Sequence, residues 1–161
     1  MFDTIAGLPL HPLIVHATEV VVPAAALAVL LAALWPRFRR WAGYLPVLLS
    51  LAAVILVPVS TQSGEALQER VGENSLIEKH SDLAEGLLPW VIGLLVVAGV
   101  LLWWTWHERT GGAPRDPRWV SFVVMAAVVL VAAGTTTQAI LVGHSGATAV
   151  WTEDMNPAKG G

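Results

Sequence analysis

Five histidines, and one glutamate set inside an apolar run, are the residues of this chain with the most chemistry to offer. His11, His16, His80 and His144 lie near the ends of long apolar stretches, whereas His107 sits among arginines. A neutral imidazole is the common protein ligand for haem iron, copper and zinc. The chain contains no cysteine, which removes disulfides, iron–sulfur clusters, thiolate metal sites and thioether-linked haem. Any metal must therefore be held by His, Glu, Asp or Met. His11 and His16 are five residues apart and point about 140° away from each other on a regular helix, so they have two different roles. Glu19 follows His16 by three residues on the same helical face, where a carboxylate in hydrocarbon is expensive and marks a functional position unless Thr61, Gln62 or Thr137 satisfies it.

The elements that position these residues follow from composition. Hydrophobic side chains make up 55% of the 161 residues and charged ones only 13%, with a mean hydropathy of +0.65. Too little polar surface remains to coat a water-soluble globule, and bilayer is the natural solvent. The net charge of −3, with basic residues in short scattered groups, excludes a nucleic-acid surface. Hydrolase and nucleotide-binding readings also lack support, since no Ser-His-Asp arrangement, phosphate-binding glycine loop or HExxH motif is present. Met1 to Leu10 offers neither a basic leader nor a small-residue cleavage site, so the first apolar run is expected to serve as its own targeting signal.

Four apolar runs, Pro12–Trp35, Trp41–Val59, Leu87–Trp106 and Trp119–Val142, are each long enough to cross the hydrocarbon layer. The second contains Pro46 and Pro58, which spanning helices tolerate. The expected fold is all-α, an integral membrane four-helix bundle of up-down-up-down topology, with residues 1–161 forming a single transmembrane domain built of helical hairpins 12–72 and 75–151. Arg37, Arg39 and Arg40 lie between the first two runs, and Arg109, Arg115 and Arg118 between the last two. Both loops are thus expected in the cytoplasm and both termini outside, across a bacterial inner membrane. The central loop, rich in Glu65, Glu69, Glu73, Glu78, Asp82 and Glu85, then faces outward, and Trp35, Trp41, Tyr44, Trp103, Trp104, Trp106 and Trp119 form an interfacial belt beside the arginines. Ser75 and Glu78 make a capping box that starts the third helix near Leu76, with a kink expected at Pro89; Gly64–Val71 prolongs the second helix, and Asn156–Gly161 reads as a loose tail.

Helical phase then places the histidines. His80 shares a stripe with Leu76, Leu83, Ala84 and Leu87, opposite Glu78, Asp82 and Glu85, and is expected to point inward. His144 shares one with Thr137, Ile140, Ala147 and Trp151, beside Gly143 and Gly146, whose bare backbone admits a flat cofactor or a neighbouring helix. A faint duplication relates Gln62-Ser63-Gly64 to His144-Ser145-Gly146 and, on this reading, His16 with Pro23 to His80 with Pro89.

The opening Leu8-Pro9-Leu10-His11-Pro12-Leu13-Ile14-Val15-His16, the central His80 and the Gly143-His144-Ser145-Gly146 run together resemble a bacterial multi-pass membrane family classed as a domain of unknown function, over essentially the whole chain. The resemblance implies a four-span module and, because relatives are joined to cytochrome-type or Rieske-type modules, redox work with haem. Ala17-Thr18-Glu19 departs from the Phe-Pro that many relatives carry after the second histidine.

The expected function is a membrane-embedded haem b protein in electron transfer, with His16 and His80 as the two axial ligands on the diagonal between spans one and three. His11, His144 and Glu19 would complete the cofactor-binding set. The alternatives are a copper or zinc site using the same imidazoles with Glu19 or Glu65, and a non-catalytic subunit or assembly partner. Besides the bilayer, the expected partners are redox proteins or a quinone, and a homo-oligomer is open. A reporter fused at Gly112 is expected to be cytoplasmic and one at Gly161 external; the opposite labelling would reverse the topology.

Overall fold

A computed structural model describes residues 4–5, 8–71, 75–110 and 118–154; the Asn156–Gly161 tail expectation lies outside the described residues. A two-residue antiparallel pair, β1 (Thr4–Ile5) with β2 (Leu8–Pro9), leads into α1 (Leu10–Leu34). Then follow α2 (Pro36–Ala42), α3 (Leu45–Val71), α4 (Ser75–Glu85), α5 (Leu87–Arg109) and α6 (Arg118–Asp154). Four helical segments are long and apolar enough to cross a membrane: His11–Leu34, Leu45–Gln68, Ser75–Arg109 and Trp119–Trp151. The fold is thus the all-helical, four-span membrane bundle that the hydropathy demands.

Proline and glycine set the boundaries. Pro12 falls in the first turn of α1, where its missing N–H costs nothing, and the helix begins at Leu10, which makes His11 a first-turn residue. Pro36 opens the short helix α2 at the arginine end, and Gly43, at φ +56°, turns the chain into α3. Trp41 therefore belongs to α2 and not to the second span, and Pro46 falls in the first turn of α3. The third span breaks at Gly86 rather than at Pro89 itself. Pro89 has no N–H to give the Glu85 carbonyl four residues earlier, so the interruption appears one turn before the proline.

α1 packs against α3 and α6, α5 packs against the same two, and α1 and α5 meet across the middle. The buried alanines Ala25, Ala26, Ala28, Ala32 and Ala33 let α1 sit close to its neighbours, as small residues do where no hydrophobic effect drives association. Buried hydroxyls fold back on their own helices: Thr18, Ser50, Thr105 and Thr135 each donate to the carbonyl four residues earlier at 2.8 to 2.9 Å. At the arginine end Arg39 pairs with Glu108 at 3.2 Å, and Arg109 donates to the Arg40 carbonyl at 2.9 Å, tying α2 to the end of α5.

The burial pattern repeats between the halves. Thr18, Val22, Ala25, Val29 and Ala32 of α1 are buried, and so are Leu87, Val91, Leu94, Ala98 and Leu101 of α5, each 69 positions later. Arg39 to Glu108 and Arg40 to Arg109 span the same 69 positions. On the other two spans, Pro46, Ser50 and Ala53 of α3 match Val128, Ala132 and Thr135 of α6, with the offset that carries Ser63 to Ser145. The halves are thus related in detail, but in a different register from the one the motifs indicated. His80 corresponds to His11, whereas His16 and Pro23 correspond to Glu85 and Ile92.

Trp90 lies flat against Gly134, where an added Cβ would fall 2.1 Å from the ring carbon Cζ3, while a Cβ on Gly99 would meet nothing within 4 Å. Gly134→Ala must displace the indole and is expected to cost about 1–3 kcal/mol, an overpacking penalty, while Gly99→Ala leaves stability unchanged or raises it. Thermal unfolding in detergent separates the two, and equal midpoints would contradict the packing.

Candidate functional site

The histidine end of the bundle is assembled from α1, the end of α3, α4 and the end of α6. In the first half, His11 Nδ1 lies 3.0 Å from Ser63 Oγ and 3.2 Å from the Ser60 carbonyl. In the second, His80 Nδ1 lies 3.0 Å from Ser145 Oγ. The hydroxyls of Ser63 and Ser145 already spend their single protons on the carbonyls of Ser60 (2.8 Å) and Val142 (2.9 Å). The Ser60 carbonyl can only accept, which places the proton of a neutral His11 ring on Nδ1; with the Ser145 hydroxyl directed at the Val142 carbonyl, His80 takes the same tautomer. The neutral rings then keep a bare lone pair on Nε2, the tautomer of a ligating histidine held by a second partner.

Glycine completes each half. A Cβ on Gly64 would fall 3.0 Å from Cε1 of His11, and a Cβ on Gly146 would fall 3.0 Å from Cε1 of His80. A Cβ there would press on the imidazole, which would have to give by a few tenths of an ångström, so Ser-Gly acts as one unit: a partner for Nδ1 and a bare backbone on which the ring rests. His11 and His80 are both half-buried.

The remaining candidates lie elsewhere. The expectation that His16 faces inward is corrected: it is exposed, with Nδ1 turned to the Pro12 carbonyl of its own helix. The 140° offset from His11 explains this, since only one of the two can face the centre, and the buried stripe of α1 continues through His11. Glu19, on the same outward face, is exposed and has no hydrogen-bond or ion-pair partner among the described residues; Thr61 donates instead to the Val57 carbonyl. Oε1 of Glu19 lies 3.7 Å from the position a Cβ on Gly143 would take. His144 is exposed, along with Thr137, Ile140, Ala147 and Trp151 of its stripe, while Gly143 and Gly146 point to the inner side. His80 lies on the stripe expected for it, with Glu78, Asp82 and Glu85 exposed opposite. Glu65 is exposed. Among the described residues no three His, Cys, Asp or Glu side chains converge closely enough to hold a metal ion.

Ser63 and Ser145 are the site residues that spacing alone did not single out, although the matched Ser63-Gly64 and Ser145-Gly146 already carried the signal. His11, expected only to complete the cofactor-binding set, is half-buried and meets Ser63.

A helical bundle with four membrane-crossing segments and an internally repeated His/Ser-Gly centre defines a multi-pass membrane protein. The chain belongs to the family of predicted membrane proteins described as domain of unknown function 2231, whose family model matches residues 7–158. Searches of the curated proteins and of the solved structures return no match to the chain.

The hydrogen-bond pattern predicts the Nδ1–H tautomer for both His11 and His80 in ¹⁵N NMR of the neutral rings. Ser145→Ala removes the acceptor and is expected to shift His80 toward the Nε2–H tautomer while His11 stays as it is. An unchanged His80 signal would show that Ser145 does not set the proton.

Proposed function

We propose that His11 and His80 form a bis-imidazole centre that binds haem b near one face of the membrane, in a redox or electron-transfer role. The observation that carries this reading is the duplicated arrangement of the two rings, each fixed through Nδ1 on a serine with Nε2 left as a donor. Haem iron takes two such neutral imidazoles as axial ligands, and facing histidines in four-helix bundles are a common way to supply them. The axial pair is therefore assigned to His11 and His80, and His16 takes no part in ligation.

Bound there, the haem would supply one-electron chemistry. The chain's own contribution is to hold both rings in one tautomer and, through the serines, to raise the basicity of the ligating nitrogens. A copper or zinc ion is the weaker reading, because among the described residues no third side chain converges with the two imidazoles, and such ions take three or four protein ligands. The arginine loops favour a location on the extracytoplasmic side of a bacterial inner membrane, with a quinone or redox protein as electron partner.

Protein expressed with ample haem and purified in detergent is expected to show b-type bands in reduced-minus-oxidised spectra, with the haem extractable into acid acetone because no cysteine can tether it. His11→Ala and His80→Ala should each abolish the bands, while His16→Ala and His144→Ala should keep them. A parent protein without haem bands would remove the proposal, and loss in His16→Ala but not in His11→Ala would remove the ligand assignment.

A further inference from the structure

The repeat supplies its own control for which polar residues the fold needs. Glu19 corresponds to Leu88 in the second half, and His144 corresponds to Gln62 in the first. The bundle thus accepts leucine and glutamine at these levels, and an exposed carboxylate in an apolar span with an exposed imidazole beside it answers to something other than folding. Both belong to the side of the molecule where α1 packs on α6. The approach of the Glu19 carboxylate to Gly143 sets the two residues at the same membrane depth, since His144 follows Gly143 directly. They do not pair with each other within the chain. Proline adds to the demand, because Pro23 offers no N–H to the Glu19 carbonyl four residues earlier. One position therefore presents two acceptors to a medium that satisfies neither.

We infer that this face is the interface of a homodimer in which Glu19 of each copy pairs with His144 of the other. The patch is self-complementary: an acceptor and a donor at one depth on one face meet their counterparts twice when a second copy is related by a twofold axis along the membrane normal. No other partner chemistry is required to satisfy both groups. The flanking residues fit a helix–helix contact. Leu13, Val20, Leu27 and Leu34 of α1 recur every seven residues and are all more than half exposed, and Ile140 of α6 is 64% exposed. His16, also exposed one turn from Glu19, lines the same contact.

The natural chain lacks cysteine, so single cysteines report position without background. Leu27 and Val96 are repeat counterparts with nearly equal exposure, 57% and 60%, on opposite sides of the molecule. In proteoliposomes treated with a short bismaleimide, Leu27→Cys is expected to give a cross-linked dimer and Val96→Cys a monomer. Glu19→Leu and His144→Gln, each the residue used by the other half, should each weaken the dimer by about tenfold in single-molecule counting or fluorescence transfer, with unchanged helix content. The exchange variant carrying both Glu19→His and His144→Glu should recover dimerisation. A monomeric parent in bilayers, equal cross-linking at both cysteines, or single variants that dimerise as well as the parent would each overturn the proposal. Haem content plays no part in these readouts, so they are independent of the His11/His80 assignment.

Discussion

A chain dissolved in hydrocarbon must satisfy its own backbone, and the rest of this structure depends on that constraint. Helices meet it everywhere except at their ends and where a proline withholds an amide. Pro23, Pro58 and Pro89 withhold one each, from the carbonyls of Glu19, Val54 and Glu85. Near Pro89 the helix gives way at Gly86, in a segment whose outward residues Asp82 and Glu85 are charged and do not belong to the apolar stretch. The buried hydroxyls obey the same constraint by bonding carbonyls of their own turn. Ser63 and Ser145 at the histidine end do the same, and there an imidazole lies within reach of each serine oxygen.

Repetition of a hairpin explains how so short a chain builds a two-sided centre. The equivalent inward residues are not identical but complementary in size: Ala25 answers Leu94, Val29 answers Ala98 and Ala32 answers Leu101, all within one core cluster. A small residue on one diagonal helix makes room for a larger one on the other, which lets α1 and α5 meet across the middle. Near-symmetry at the histidine end then follows from the shared scaffold. His11 and His80 inherit the same serine at the same distance and the same glycine beneath the ring.

Much of the fold was legible in the sequence because hydropathy over some twenty residues is a one-dimensional property, and both helix prolongations, Gly64–Val71 and the helix from Ser75, followed from local signals. The inward stripe of His80 was legible for the same reason. The face of α1 was not, since nearly every residue from Leu13 to Leu34 is apolar and the pattern holds no polar side from which to read a phase. His16, set deeper in the apolar run, therefore read as inward-facing, and matching it to His80 through their nearby prolines reinforced that reading of its face. The discriminating signal was the offset between the arginine loops and between the two Ser-Gly units, a long-range register that motif similarity over a few residues does not define.

The two halves differ most where the fold constrains them least. At buried positions the repeat preserves size complementarity, and at the His/Ser-Gly units it preserves chemistry, yet on the outward faces leucine replaces glutamate and glutamine replaces histidine. A position free to be apolar in one half and ionisable in the other is not held by packing. In lipid the ionisable choice also carries a solvation penalty that drift alone would tend to remove. Preserved pairs inside the bundle therefore identify what the two hairpins do together, and unmatched polar residues outside it identify what one side of the molecule does with its surroundings. By that reasoning the inward His11 and His80, matched between the halves, and the outward Glu19 and His144, unmatched, are held by different constraints, although both pairs lie toward the histidine end of the bundle.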